Sequence, residues 1–331
     1  MEMYIESGPE LFQLKPVADG VYIAVASLRY YVNCNATVIV LDDGVLVVDA
    51  HSKPSAAQAL IARIRELTDK PVRYLVITHP HWDHYWGSQA YLSAWPSVEI
   101  ISSQPTRASI QQRGALQIED SLLQVSAEAA RLKSELEAAA DPAARPALIE
   151  SLRQCEAYLA ELGQIHIVLP TLTFDRSLVI HRPRRTVELL WLGRGHTEGD
   201  IVVYLPHDRV LVAGDLIHEW VPWVGDADLD DWIRLLEAVE KLDFEYVIGG
   251  HGDVIHGKRL FDVWKRYLRD LLDFTAEASA GGASLPQVQE QVIPRFKSKY
   301  AAELDPEILA FAIVEQVEKA YRVVGEEAGP S

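Results

Sequence analysis

Cysteine is scarce in this chain: Cys34 and Cys155 are the two among 331 residues. That is too few for a disulfide framework, and neither has thiolate-motif spacing, so both are expected to be reduced and structural. Long apolar runs are missing as well, and no stretch is long enough to span a bilayer. Basic residues are in deficit, 31 against 48 acidic ones, for a formal charge of −17. Such a charge opposes non-specific binding to nucleic acid or anionic lipid. The expected partner is therefore a small-molecule substrate, with no nucleic acid and no membrane. The first ten residues carry Glu2, Glu6 and Glu10 where a leader peptide needs a basic region and an apolar core, so a cytoplasmic protein is expected. Apolar residues are plentiful, at 49% with mean hydropathy near zero, which is enough for a substantial core.

The most informative stretch is Thr78-His-Pro-His-Trp-Asp-His84, which follows the strand-like run Val72–Ile77. His79 and His81 are two apart, so a chain leaving the strand still extended projects both imidazoles to one side, while Asp83 and His84 come from the turn beyond. Imidazoles and a carboxylate in this concentration suit a borderline ion such as zinc, with a coordination position left for water. One histidine there would read as a turn residue; three with an aspartate read as ligands.

Upstream, Val21–Ala26, Ala36–Leu41 and Val45–Val48 read as antiparallel strands, with Asp42-Asp-Gly44 turning the last two into a hairpin. Ser55 is expected to cap a helix with Leu60, Ile61, Ile64 and Leu67 on its apolar face. A short helix from Gly87 and a strand at Val98–Ile101 complete a βαβ rhythm. From Gln104 to Gly163 the pattern turns wholly helical. Leu122, Val125, Ala129, Leu132 and Leu136 form one stripe; Leu148, Leu152, Cys155, Leu159 and Leu162 form the other, across a Pro-containing break. This predicts an inserted antiparallel helical hairpin, centred on about 119–163. Its stripes are satisfied equally within the hairpin or across a homodimer, and a lid over the site and a mere spacer are equally open readings.

Strand signals return at Thr171–Phe174, Leu178–Ile180, Val187–Leu192, Ile201–Leu205 and Val210–Ala213, read together as a second sheet carrying His196, Asp200 and Asp215 at strand ends. Asp228 or Asp230 is expected to cap the next helix, which leads to Gly249-Gly-His251. Three helices follow, over 260–274, 285–296 and 306–323, with a break at Gly281-Gly282. The predicted organisation is one domain over 1–256 and a helical extension over 257–331.

His79-x-His-x-Asp-His84 resembles the signature of the metallo-beta-lactamase superfamily. Asp49 after Val45–Val48, His196 in Gly195–Asp200, Asp215 in Ala213-Gly-Asp215 and His251 in Gly249–Gly252 match that family's further motifs in chain order. The resemblance implies an α/β fold, a four-layer αβ/βα sandwich, here with the helical insertion and helical C-terminal extension. It implies two divalent metal ions, zinc in the first place, with iron or manganese as the alternatives. His79, His81 and His196 would hold one and Asp83, His84 and His251 the other, with Asp215 between them and Asp49 orienting the loop or a ligand histidine. The reaction implied is hydrolysis of a small ester, lactone, thioester or amide by a hydroxide shared between the ions. Asp83 would orient the attacking group or accept its proton.

Asp215 stands where the true beta-lactamases of the family generally carry Cys or Ser, so this chain looks more like the lactonase- and thioesterase-type members. A phosphodiesterase and a mononuclear iron dioxygenase of persulfide type are the alternatives. His218, three residues beyond Asp215, occupies a place comparable to a carbonyl-polarising Tyr in lactonases and is a candidate catalytic donor. Tyr85, Trp86, Trp220 and Trp223 are candidates for an apolar pocket wall, although aromatic packing under a loop explains them equally well. Arg182, Arg184, Arg185 and Arg194 read as a solvated charged turn.

Overall fold

Val45–Val48 is buried at every position, the mark of a strand covered on both faces, and the first sheet is built around it. The computed structural model describes residues 11–327, in two compact units divided between Thr173 and Phe174. The acidic N-terminal segment lies outside the described residues.

The first unit opens with β1 (Phe12–Ala18), β2 (Val21–Ala26), β3 (Ala36–Val40) and β4 (Val45–Val48). These pair antiparallel in succession. Helix α1 (Pro54–Leu67) then carries the chain to β5 (Val72–Val76). The short α2 (Trp82–Tyr85) and α3 (Ser88–Ala94) lead to β6 (Glu99–Ser103), and β4, β5 and β6 run parallel. Helices α4 (Gln104–Ala138) and α5 (Arg145–Leu162) form the hairpin. Ala129, Leu132 and Cys155 are its buried centre, with Val125, Leu148 and Leu152 packed against them, so the two stripes meet within the hairpin. The last strand, β7 (Leu172–Phe174), lies next to β6 at the edge of this seven-stranded sheet. This corrects the expectation that Thr171–Phe174 begins the second sheet: Thr171 N–H donates to Ile100 O at 2.7 Å and draws the segment to β6.

The start of α1 also differs from expectation. Pro54 occupies the first helical position and Lys53 the cap, with no side-chain capping bond of its own. The cap is supplied from α5. Glu161 accepts from Ser55 N–H at 2.5 Å and from the Ser55 hydroxyl at 2.8 Å, and it lies 3.7 Å from the Lys53 ammonium. Replacing Glu161 with Ala should lower stability by about 1–2 kcal/mol, the usual scale for a lost N-cap. An unchanged urea midpoint would show that α5 does not brace α1.

In the second unit β8 (Ser177–His181), β9 (Thr186–Leu190), β10 (Val202–Leu205) and β11 (Val210–Gly214) run antiparallel. Helix α6 (Leu229–Val239) returns the chain to β12 (Tyr246–Gly249), parallel to β11, and β13 (Ile255–His256) closes the six-stranded sheet. Of the two candidates the sequence offers, Asp228 rather than Asp230 caps α6, accepting from Asp231 N–H. Helices α7 (Arg259–Ser279), α8 (Leu285–Tyr300) and α9 (Pro306–Glu327) follow. They join α6 and the 216–227 loop in one core containing Trp232, Phe261, Trp264, Tyr267, Phe296 and Val317. Among the described residues no helix is long and apolar enough to cross a membrane, and both cysteines are buried and unoxidised.

Candidate functional site

In the first unit the chemistry gathers where the parallel strands β4 and β5 end, the edge at which open α/β sheets place their ligands. Asp49, one residue past β4, adopts a left-handed backbone with φ 61°, which Asp tolerates better than most residues. Its buried carboxylate accepts three hydrogen bonds: from Thr78 N–H at 2.9 Å, from the Thr78 hydroxyl at 2.9 Å and from His84 Nδ1 at 2.8 Å. A carboxylate only accepts, so those partners must donate, and the single Thr78 hydroxyl proton is thereby committed to Asp49. His79 Nδ1, 3.0 Å from the Thr78 oxygen, must then donate to it. Both His79 and His84 consequently carry their lone pair on Nε2, which makes that atom the one able to hold a metal. His79 Nε2 faces His81 Nδ1 at 3.1 Å, and His84 Nε2 faces the Asp83 carboxylate at 3.6 Å. Donor atoms turned toward one another at such distances need a shared proton or a shared cation, so these residues fit a metal.

The second unit repeats this logic with a backbone acceptor. His196 Nδ1 donates to the Trp223 carbonyl at 3.0 Å, which leaves Nε2 as the lone-pair atom, 3.6 Å from the Asp215 carboxylate. The same Asp215 oxygen lies 3.1 Å from His251 Nε2. Trp220 stacks on the His251 ring at 4.7 Å. Thr197 and Asp200 close the turn behind His196, and Asp200 accepts from Thr197 N–H and hydroxyl at 2.8 and 2.7 Å. Burial pushes the Asp200 pKa up to about 7. Gly249 is required at its position because a Cβ there would meet Ile217 O at 2.5 Å.

His218 has the opposite tautomer. Its Nδ1 accepts from Trp220 N–H at 3.2 Å, so Nε2 carries the proton and the ring is a donor, unlike the ligand-type histidines. It is buried edge-on to Trp264 and His251, at 4.9 and 5.1 Å. Of the four aromatic residues considered for a pocket wall, Tyr85 and Trp86 are 1% exposed and fill the core of the first unit. The Tyr85 hydroxyl is held by Gln117 of α4 at 2.7 Å. Trp223 is 41% exposed and Trp220 half-buried, so neither is part of that core. Arg185 is paired with Asp208 by two 2.8 Å bonds.

Two contributors escape a motif reading. Thr78 relays Asp49 to His79, and the Trp223 carbonyl orients His196. His51, fully buried with φ 61°, donates Nδ1–H to Cys34 O at 2.8 Å, and burial holds its pKa down to about 4.

Mixed α/β sheets whose strand ends carry histidines with Nδ1 held by fixed acceptors, beside carboxylates, fit an α/β protein that binds a metal. The chain belongs to the metallo-beta-lactamase superfamily, whose family model matches residues 29–251. It is similar to the linear primary-alkylsulfatase of Pseudomonas sp. (strain ATCC 19151), 23% identical over 266 residues that cover 77% of this chain and 48% of that protein. It is also similar to a metallo-beta-lactamase type 2 of Elizabethkingia meningoseptica, 30% identical over 87 residues, 24% of this chain and 35% of that protein. The chain thus spans less than half the length of these curated relatives. Among solved structures, a metallo-beta-lactamase from Pontibacter korlensis superposes with a TM-score of 0.57 at 17% identity, over 78% of this chain and 99% of that one. The two mixed sheets flanked by helices match the αβ/βα sandwich of this family.

Proposed function

We propose that this chain is a dinuclear, zinc-dependent hydrolase of small ester-type molecules: esters, lactones, thioesters or amides. The family pattern would give one ion His79, His81 and His196 with Asp215, and the other Asp83, His84 and His251. The observation that carries the reading is the proton arrangement. His79, His84 and His196 each spend Nδ1–H on a fixed acceptor and so present Nε2. Divalent ions there would lower the pKa of water toward neutrality and polarise the substrate's acyl oxygen.

The protein's own groups do the rest. Asp83 orients the nucleophile and receives its proton; His218, a donor at Nε2, supports the developing negative charge; Trp220 and Trp223 cover the apolar part of the substrate and keep water from it. A second reading is hydrolysis of a sulfate ester, favoured by the alkylsulfatase likeness, which extends over 77% of the chain. The substrate is a small molecule in either case, and the exposed Leu116 and Leu123 of α4 leave room for a homodimer.

The test is metal analysis followed by a panel of lactones, thioesters, beta-lactams, primary alkyl sulfates and bis-para-nitrophenyl phosphate. Two zinc ions per chain with turnover of a carboxylic ester or lactone is the expected result, and turnover restricted to alkyl sulfates selects the second reading. A single tightly held iron with no hydrolysis of any panel member would overturn both in favour of an oxidative reaction.

A further inference from the structure

Helix α9 lies outside the segment matched by the family model, yet two of its polar side chains reach the loop that orients ligand-type histidines. Gln316 is a buried polar residue in an otherwise apolar core. Its amide oxygen accepts from the Tyr267 hydroxyl of α7, and its amide N–H donates to the Pro222 carbonyl. One turn further along α9, Lys319 donates to the Gly225 carbonyl at 3.4 Å. These anchors flank Trp223, whose own carbonyl takes the His196 Nδ1 proton. The Trp223 ring folds back across Gly225, where a Cβ would sit 2.3 Å from it. The same loop carries Trp220 onto His251.

We propose that Gln316 and Lys319 are positioning residues for the metal site: they hold the 220–225 loop so that the Trp223 carbonyl stays on His196 and the Trp220 ring stays on His251. The proposal rests on His196 and His251 being metal ligands. A loop has many conformations of similar energy, and one displaced by an ångström would leave His196 able to rotate or to move its proton to Nε2, which destroys the ligand atom. Buried side-chain hydrogen bonds to a loop carbonyl at Pro222 do what the proline itself cannot, since proline has no N–H with which to pin the chain. Tyr267 selects which way the Gln316 amide points: its hydroxyl occupies the oxygen and leaves the N–H for the loop.

Gln316→Glu isolates the donor. A carboxylate still accepts from Tyr267 but cannot donate to Pro222 O. The full chain would be loaded with cobalt(II), and affinity measured by competition with a chromophoric chelator beside the visible cobalt spectrum. Gln316→Glu should weaken cobalt binding about tenfold, the lower end for residues that orient a ligand histidine, and shift the cobalt bands. Lys319→Met should act in the same direction more weakly, and it preserves the test should Gln316→Glu not fold. Arg295→Ala, which removes an exposed pair with Glu277 on the neighbouring helices, should leave the spectrum unchanged. A folded Gln316→Glu and Lys319→Met with wild-type affinity and spectrum would overturn the proposal, as would an equal spectral shift in Arg295→Ala. His196→Ala separates the two levels. If it binds cobalt like the wild type, the ligand assignment itself is wrong; if it loses cobalt while both α9 variants do not, only the role of α9 falls.

Discussion

Asp215→Asn should cost about three orders of magnitude in hydrolysis and lose one of the two metal ions. The Asp215 oxygen lies 3.1 Å from His251 Nε2 and 3.6 Å from His196 Nε2, so the carboxylate stands among the donor atoms of both proposed ions. Asn has nearly the same volume but no charge, and its amide would turn N–H groups toward a cation or toward imidazole lone pairs. At about 4 Å and an effective dielectric of about 20, one unit charge is worth about 4 kcal/mol, and each 1.4 kcal/mol is about a decade in rate. Metal content by elemental analysis and kcat on the panel substrate check this. Two ions retained at wild-type turnover would show that Asp215 does not neutralise the site, and the preference for lactonase-type over beta-lactamase-type chemistry would go with it.

Asp49→Ala should be the most destabilising single change at the site, by about 3–5 kcal/mol, the scale for breaking a buried charged network. It leaves Thr78 N–H, the Thr78 hydroxyl and His84 Nδ1–H without their acceptor inside the protein. Asp49→Asn separates folding from metal binding. The introduced amide oxygen can still take the Thr78 bonds while its NH₂ faces His84 and favours the tautomer with the proton on Nε2. It should lose less than half as much stability as the Ala variant, yet bind metal about 10–100-fold more weakly. Urea unfolding of the metal-free protein and a chelator titration read the two effects separately. An Asp49→Asn variant that binds both ions like the wild type would mean that His84 does not depend on Asp49 for its orientation.

Local chemistry was legible in the sequence, and long-range chemistry was not. The 79–84 cluster can be read because six consecutive residues carry four ligand-type side chains, and α6 because Asp228 and its apolar face lie within a few residues of one another. The sheet assignment of Leu172–Phe174 failed because three half-buried residues hold no register information of their own; the bond from Thr171 to Ile100 decides it. Strand β1 escaped notice because Lys15 and Pro16 interrupt its alternation, which an edge strand with a register shift at Pro16 tolerates. Ser55 satisfied the local rule for a helix cap, but Pro54 starts the helix before it, and Glu161 serves from 106 residues away. Tyr85 and Trp86 read as a wall because they follow the ligands in sequence, whereas the helical turn of α2 points them into the core. The Trp223 carbonyl is a main-chain atom, which no side-chain pattern reveals.

The three acceptors behind the proposed ligand imidazoles differ in kind: a hydroxyl for His79, a carboxylate for His84 and a main-chain carbonyl for His196. An anionic acceptor makes an imidazole the stronger electron donor, while a neutral one leaves it weaker. On the proposed assignment His84 is therefore the stronger donor and would hold its ion more firmly than His196, whose acceptor is neutral. The strength of a ligand would thus be set by an atom that touches neither ion nor substrate.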